Sequence, residues 1–106
     1  MSYRWPNKDK DDQLDYSVDW SRWLGNGVTI SSVSWFADSS TGVKTAFTAG
    51  STVNGLQNVA NTNTTTVTTI NLALGTNNVE YKIYCRITDS SGSIAERTIK
   101  LRIKDQ

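Results

Sequence analysis

The stretch from Val79 to Ile103 reads "VEYKIYCRITDSSGSIAERTIKLRI". Two runs of period-2 alternation flank a polar break that contains a glycine. In the first run Tyr81, Ile83, Cys85 and Ile87 share one face, and Lys82, Tyr84 and Arg86 share the other. In the second, Ile99, Leu101 and Ile103 alternate with Lys100, Arg102 and Lys104. A helix would place apolar residues every three or four positions. The pattern therefore predicts a β-hairpin turning at "TDSSGS", residues 88–93, with one face toward a core and a basic strip of Lys82, Arg86, Lys100 and Arg102 toward solvent.

The same alternation extends backward along the chain. Leu14 to Trp20 reads as a first strand with Leu14, Tyr16, Val18 and Trp20 on one side, and "SRWLGNG" as the turn after it. Thr29 to Ala37 is a second strand, in which Val33, Trp35 and Ala37 share a face; Val43 to Ala49 is a weaker third. Residues 50–63 form a polar connection with a short edge strand around Leu56 to Val59. From Thr64 to Leu74 the apolar phase slips between Val67 and Ile70, which predicts a bulge before Ile70, Leu72 and Leu74 turn inward. About seven strands with regular turn signals point to an all-β, immunoglobulin-like β-sandwich. Its expected core includes Leu14, Trp20, Trp35, Ile83, Cys85, Ile87, Ile99 and Leu101. Residues 1–12 hold the one proline, Pro6, and a charge run, and are expected to form an extended N-terminal arm. Residues 13–106 would form the sandwich domain.

At 106 residues the chain fits one modest core. The formal net charge of +1 is not the footprint of a nucleic-acid binder. Charge is instead separated along the sequence. Asp9 to Asp19 holds five Asp against one Lys, a balance of −4, whereas Glu80 to Lys104 holds six cations against three acids, a balance of +3. Cys85 is the single cysteine, so no intrachain disulfide can form, and maturation in a reducing cytoplasm is expected. No apolar run approaches the roughly 20 residues of a membrane span, and "MSYRWPNKDK" lacks the apolar region of a signal peptide. Neither nucleic acid nor membrane is expected as a partner.

The acidic run invites a calcium loop. With Asp9 at position 1, Asp11 and Gln13 fill positions 3 and 5, but Leu14 stands where the sharp turn needs Gly and Trp20 where a bidentate Glu is needed. A glycosidase pair fails on distance, because Asp15 and Asp19 on one face of a strand lie roughly 13 Å apart at about 3.3 Å per residue. With no His to act as base, nucleophilic catalysis has no support, and Cys85 between Ile83 and Ile87 reads as a small core residue. No metal, cofactor or catalytic residue is expected. Trp5 and Trp23 fall in the arm and a turn, where an aromatic needs cover. They could anchor a protein interface, stack on sugar rings or pack locally. The Thr and Asn run "NVANTNTTTVTTIN" reads as an ordinary solvated strand face.

The opening "WPNKDKDDQLDYSVDWSRWLGNGVTISSVSWF" resembles the start of the tailed-bacteriophage fibre-tail adaptor family. The matching residues are Lys8, Asp9, Asp11, Leu14, Asp15, Tyr16, Asp19, Trp20, Ser21, Leu24, Gly25, Thr29, Ile30 and Trp35. The closing "VEYKIYCRITDSSGSIAERTIKLRIKD" is similar to that family's last hairpin. The likeness covers both ends well and residues 38–78 poorly, and Lys10 stands where the family has proline. It implies an immunoglobulin-like virion protein, assembled in the host cytoplasm, that bridges the tail tube or nozzle and the N-termini of the tail fibres in many copies around the tail axis. The charge separation, independently of the likeness, points to Trp5, Lys8, Asp9, Asp11, Asp12 and Trp23 as a docking segment for the Lys82, Arg86, Lys100 and Arg102 strip of a neighbouring copy or tail protein. The alternative is a carbohydrate-binding module of the same fold, with Trp5, Trp23 and Tyr84 as a stacking platform.

Overall fold

The computed structural model describes residues 2–39 and 41–104. Met1, Ser40, Asp105 and Gln106, which include the outer ends of the expected arm and domain, lie outside the described residues, as do the side chains of Ser2 and Tyr3. The elements are strands: β1 Ser2–Arg4, β2 Leu14–Asp19, β3 Ile30–Asp38, β4 Thr45–Ala46, β5 Thr52–Val53, β6 Leu56–Asn63, β7 Val67–Leu74, β8 Glu80–Asp89 and β9 Ile94–Arg102. They form two sheets, one in the order β1-β9-β8-β3-β4 and one in the order β2-β7-β6-β5. The result is an all-β sandwich. Its strand pairs are antiparallel except β1, which runs parallel to β9.

Alternation decides what lies between the sheets. Trp20, Trp35, Ile83, Cys85, Ile87, Ile99 and Leu101 are all buried, as are Tyr16, Val18, Ile70 and Leu72. Each large apolar side chain so buried contributes about 1.5–3 kcal/mol. Phe47 and Leu56 join this core from the middle of the chain. A polar chain crosses it. The Trp20 indole N–H donates to Thr68 Oγ1 at 3.1 Å, and Thr68 Oγ1 lies 3.3 Å from Cys85 Sγ.

Four sequence expectations need correction. Leu14 is not core but 41% exposed. Alternation gives the side of a strand and not the reach of the opposing sheet, and Leu14 is the first residue of β2. The bulge belongs to β6, between Asn58 and Ala60, rather than to the following strand. β7 pairs without interruption from Leu72 opposite Leu14 to Val67 opposite Asp19, so Val67 simply faces outward. Leu74 is 53% exposed, because the backbone there turns left-handed, φ 62°, and leaves the sheet through Gly75.

Residues 50–63 hold a hairpin rather than a loop with a short edge. Asn54 and Gly55, φ 45° and 87°, form the two-residue turn that matches strand twist, with Val53 paired to Leu56. Residues 2–8 lie along β9. The Trp5 N–H donates to the Lys100 carbonyl and the Lys8 N–H to that of Arg102, each at 3.0 Å.

Candidate protein interface

The parallel run of β1 on β9 brings Trp5 inward. Its ring stacks on Tyr16 of β2, centroids 4.7 Å apart, which closes one side of the sandwich with an aromatic pair. Burial, with Asp12 adding, pushes the Tyr16 hydroxyl up to about 12, and the buried oxygen has no partner among the described residues. Beside this pair, Arg4, Trp5, Ser17, Val18, Asp19 and Ile99 line a depression of about 350 Å³.

A second depression, of about 400 Å³, adjoins it through Asp19 and is lined by Trp20, Ser21, Arg22, Trp23 and Arg97. Asp19 builds its rim. The Asp19 carboxylate accepts the Ser21 N–H at 2.9 Å, and that bond, with further help from the Ser21 side chain and Arg22, holds its carboxyl below the usual range. Trp23 N–H and Leu24 N–H then donate to the Trp20 carbonyl, at 2.9 and 3.0 Å, closing a tight turn. Trp23 is thereby set edge-on to Trp20, centroids 6.1 Å apart, and remains 36% exposed.

Arg97 completes this depression. It sits on the inner side of β9, two residues before Ile99, and its guanidinium lies 4.9 Å over the Trp20 ring. A cation over a tryptophan face is attracted by the ring quadrupole, and more strongly where water is partly excluded. The sequence carried the signal, an arginine in phase with Ile99 and Leu101, but the aromatic partner comes from a distant turn. The two depressions share Asp19 and lie side by side where β1 and β9 face β2, a two-part groove. Aromatic rings and arginines line both parts, and Asp19 stands between them.

The other expected contact residues divide. Lys8 is buried, not offered to a partner: its ammonium donates to the carbonyls of Asp9 and Leu74, each at 2.8 Å. Burial lowers its pKa, while Asp12, Asp9 and Asp11 oppose that shift. The three carboxylates thus offset part of the cost of burying this cation, while its hydrogen bonds go to backbone carbonyls. Asp9 also shapes the turn, its carboxylate accepting the Asp11 N–H at 2.9 Å. Among the described residues no group of three potential ligands could hold a metal ion.

Lys82 and Lys100 face each other across β8 and β9, and Lys100 is also paired with Arg4. Arg102 stands opposite Glu80, which forms an ion pair with Arg4. This end of the outer face is therefore a basic patch around one acid. Arg86 is engaged elsewhere, 3.1 Å from Glu96 and over the Phe36 ring. The acidic turn starts beside the same patch, because Lys8 bridges to Ile103, next to Arg102. Charges far apart in sequence are neighbours in space. Tyr84 lies on the outer face beneath the Lys44 ammonium, 4.6 Å away, and shares no surface with the inward-facing Trp5.

Residues 8–102 match the family described as podophage GP4 fiber-tail adaptor protein gp77. No curated protein matches the chain.

Proposed function

The chain belongs to the podophage GP4 fiber-tail adaptor family, and from that membership we propose that it bridges the tail tube or nozzle and the tail fibres, in several copies around the tail axis. It is a structural component of the virion. Its assembly in the host cytoplasm is part of the proposal. The order of the strands, β9-β8-β3 against β2-β7-β6, supports the immunoglobulin-type reading of the sandwich.

The observation that carries the bridging reading is the groove between β9 and β2. Interfaces draw most of their binding energy from a few buried aromatic and arginine anchors, and here Trp5 and Arg4 line one depression and Trp20, Trp23 and Arg97 the next, with Asp19 common to both. The basic patch of Arg4, Lys82, Lys100 and Arg102 supports it by steering an acidic partner toward the same edge. Asp9, Asp11 and Asp12 stand at the far end of the arm, where they would set the register of docking.

Phage tails carrying Trp23→Ala, or Trp5→Ala with Trp23→Ala, test the proposal. The chain should remain folded by circular dichroism while its occupancy on purified tails falls about tenfold or more, as expected for loss of a central anchor worth 2 kcal/mol or so. Normal occupancy of the double variant would reject the groove as the docking surface.

A further inference from the structure

The opposite side of the sandwich carries a different feature. β3 has β8 on one side, but on the other it has only the two residues of β4, opposite Phe36 and Ala37. One further bond, from the Phe47 N–H to the Trp35 carbonyl at 2.9 Å, ends that pairing. From there toward the bulge between Ile30 and Ser32, the lane beside β3 has no strand in it.

Because successive residues of a strand point their backbone groups to alternate sides, the Trp35 carbonyl fixes the direction of its neighbours. The amides of Val33 and Trp35 point into the lane. A cavity of about 330 Å³ lies where β4 would have continued. Val33, Trp35, Ala46, Phe47 and Ala49 give it apolar walls, and Asn61 reaches it from the other sheet. Trp35 itself carries a buried indole N–H with no acceptor among the described residues. Among the described residues no charged side chain lines the cavity, although sheet edges are commonly blunted by charge or proline.

We infer that this lane takes an extended segment of a second tail protein as an added strand, with one apolar side chain seated in the cavity. Only another extended backbone can match the edge amides at strand spacing. The lane holds about four residues, roughly 13 Å. A second copy of this chain is poorly equipped to fill it: β1 and β5 have three and two residues, Val33 and Trp35 of its own open β3 edge pack into that copy's core, and the regular stretch of β6 left open beyond β5, Ala60 to Asn63, offers no large apolar side chain for the cavity. The inference rests on the bridging reading and deepens it. An adaptor needs two surfaces that do not compete, and β1 and β4 lie at opposite edges of the five-stranded sheet.

Hydrogen exchange, compared between the isolated chain and purified fibre-bearing tails, tests it. The amides of Val33 and Trp35 should exchange about tenfold or more slowly in the tails. Ala49→Trp, at an exposed position that would fill the cavity, should give tails that retain this chain and lose fibres; Val33→Pro, which removes a lane amide, should do the same. Unchanged exchange in assembled tails overturns the inference. So does slowing in the isolated chain that rises with concentration alongside a dimer mass, which would assign the lane to a second copy. If Ala49→Trp and Val33→Pro act as described but the Trp5 and Trp23 variants attach normally, the groove reading fails and the lane stands.

Discussion

Lys8 of the N-terminal segment donates its ammonium to the Leu74 carbonyl at 2.8 Å, joining a segment laid on β9 to the end of β7 in the other sheet. A buried cation on two carbonyls acts as a clip between the two layers at the end where the acidic turn begins.

Removing the clip should be costly. Lys8→Met keeps the stem but leaves the Asp9 and Leu74 carbonyls without their donor, with an expected loss of about 1–3 kcal/mol in denaturant unfolding. A variant as stable as the parent would show that water replaces the ammonium freely.

The alkaline limb of the stability curve should carry two opposed contributions. Lys8 titrates below its usual 10.5 in the folded chain, so above that lowered value the unfolded chain binds more protons and the Lys8 contribution rises with pH. Tyr16 is pushed up from 10.0 to about 12, so the unfolded chain loses that proton first and the Tyr16 contribution falls across this interval. Tyr16→Phe should therefore flatten the loss of stability above pH 10. An absorbance titration in which all tyrosines ionise together near 10 would contradict it.

Gly75 has φ 112°, and a Cβ built there would meet Ile103 Cγ1 at 2.8 Å. Both the backbone and the neighbour oppose a side chain. Gly75→Ala should lower stability by more than about 1 kcal/mol, read as a fall in Tm; a neutral effect would mean that the Ile103 side chain yields.

Cys85 should be silent in the native state. Burial pushes its thiol up to about 11, while Thr68 and Trp20 pull weakly the other way. Maleimide labelling should proceed only through unfolding and should speed up in step with it when Trp20→Phe removes the donor to Thr68. Rapid labelling of the folded chain would show an open path to the thiol.

Lys100→Glu separates stability from assembly. It replaces a repulsive cross-strand pair with Lys82 by an attractive one, so the isolated chain should gain about 0.2–1 kcal/mol. If the basic patch steers docking, the same variant should attach to tails more slowly at low salt. A stabilised variant with unchanged attachment would remove the patch from the proposed interface.

The sequence by itself determined the class of fold, because period-2 alternation from Tyr81 to Ile103 names the inner face of each strand of the hairpin without reference to anything distant. It also determined that Trp35 and Cys85 pack inside and that Trp5 and Trp23 need cover. The β5–β6 hairpin was legible in Asn54-Gly55, but the polar residues around it hid the strands. Tertiary structure decided how far burial reaches, which left Leu14 and Leu74 exposed and drew Lys8 in. It also decided which distant residues meet. Arg97 reaches Trp20 because β9 and β2 lie in facing sheets, and Trp5 reaches Tyr16 and the acidic turn lies beside the basic patch because β1 runs parallel to β9, a pairing between the two ends of the chain. Local pattern encodes which way a side chain points; what it points at depends on chain crossings that close loops of many residues, and those are fixed by the packing of the whole sandwich.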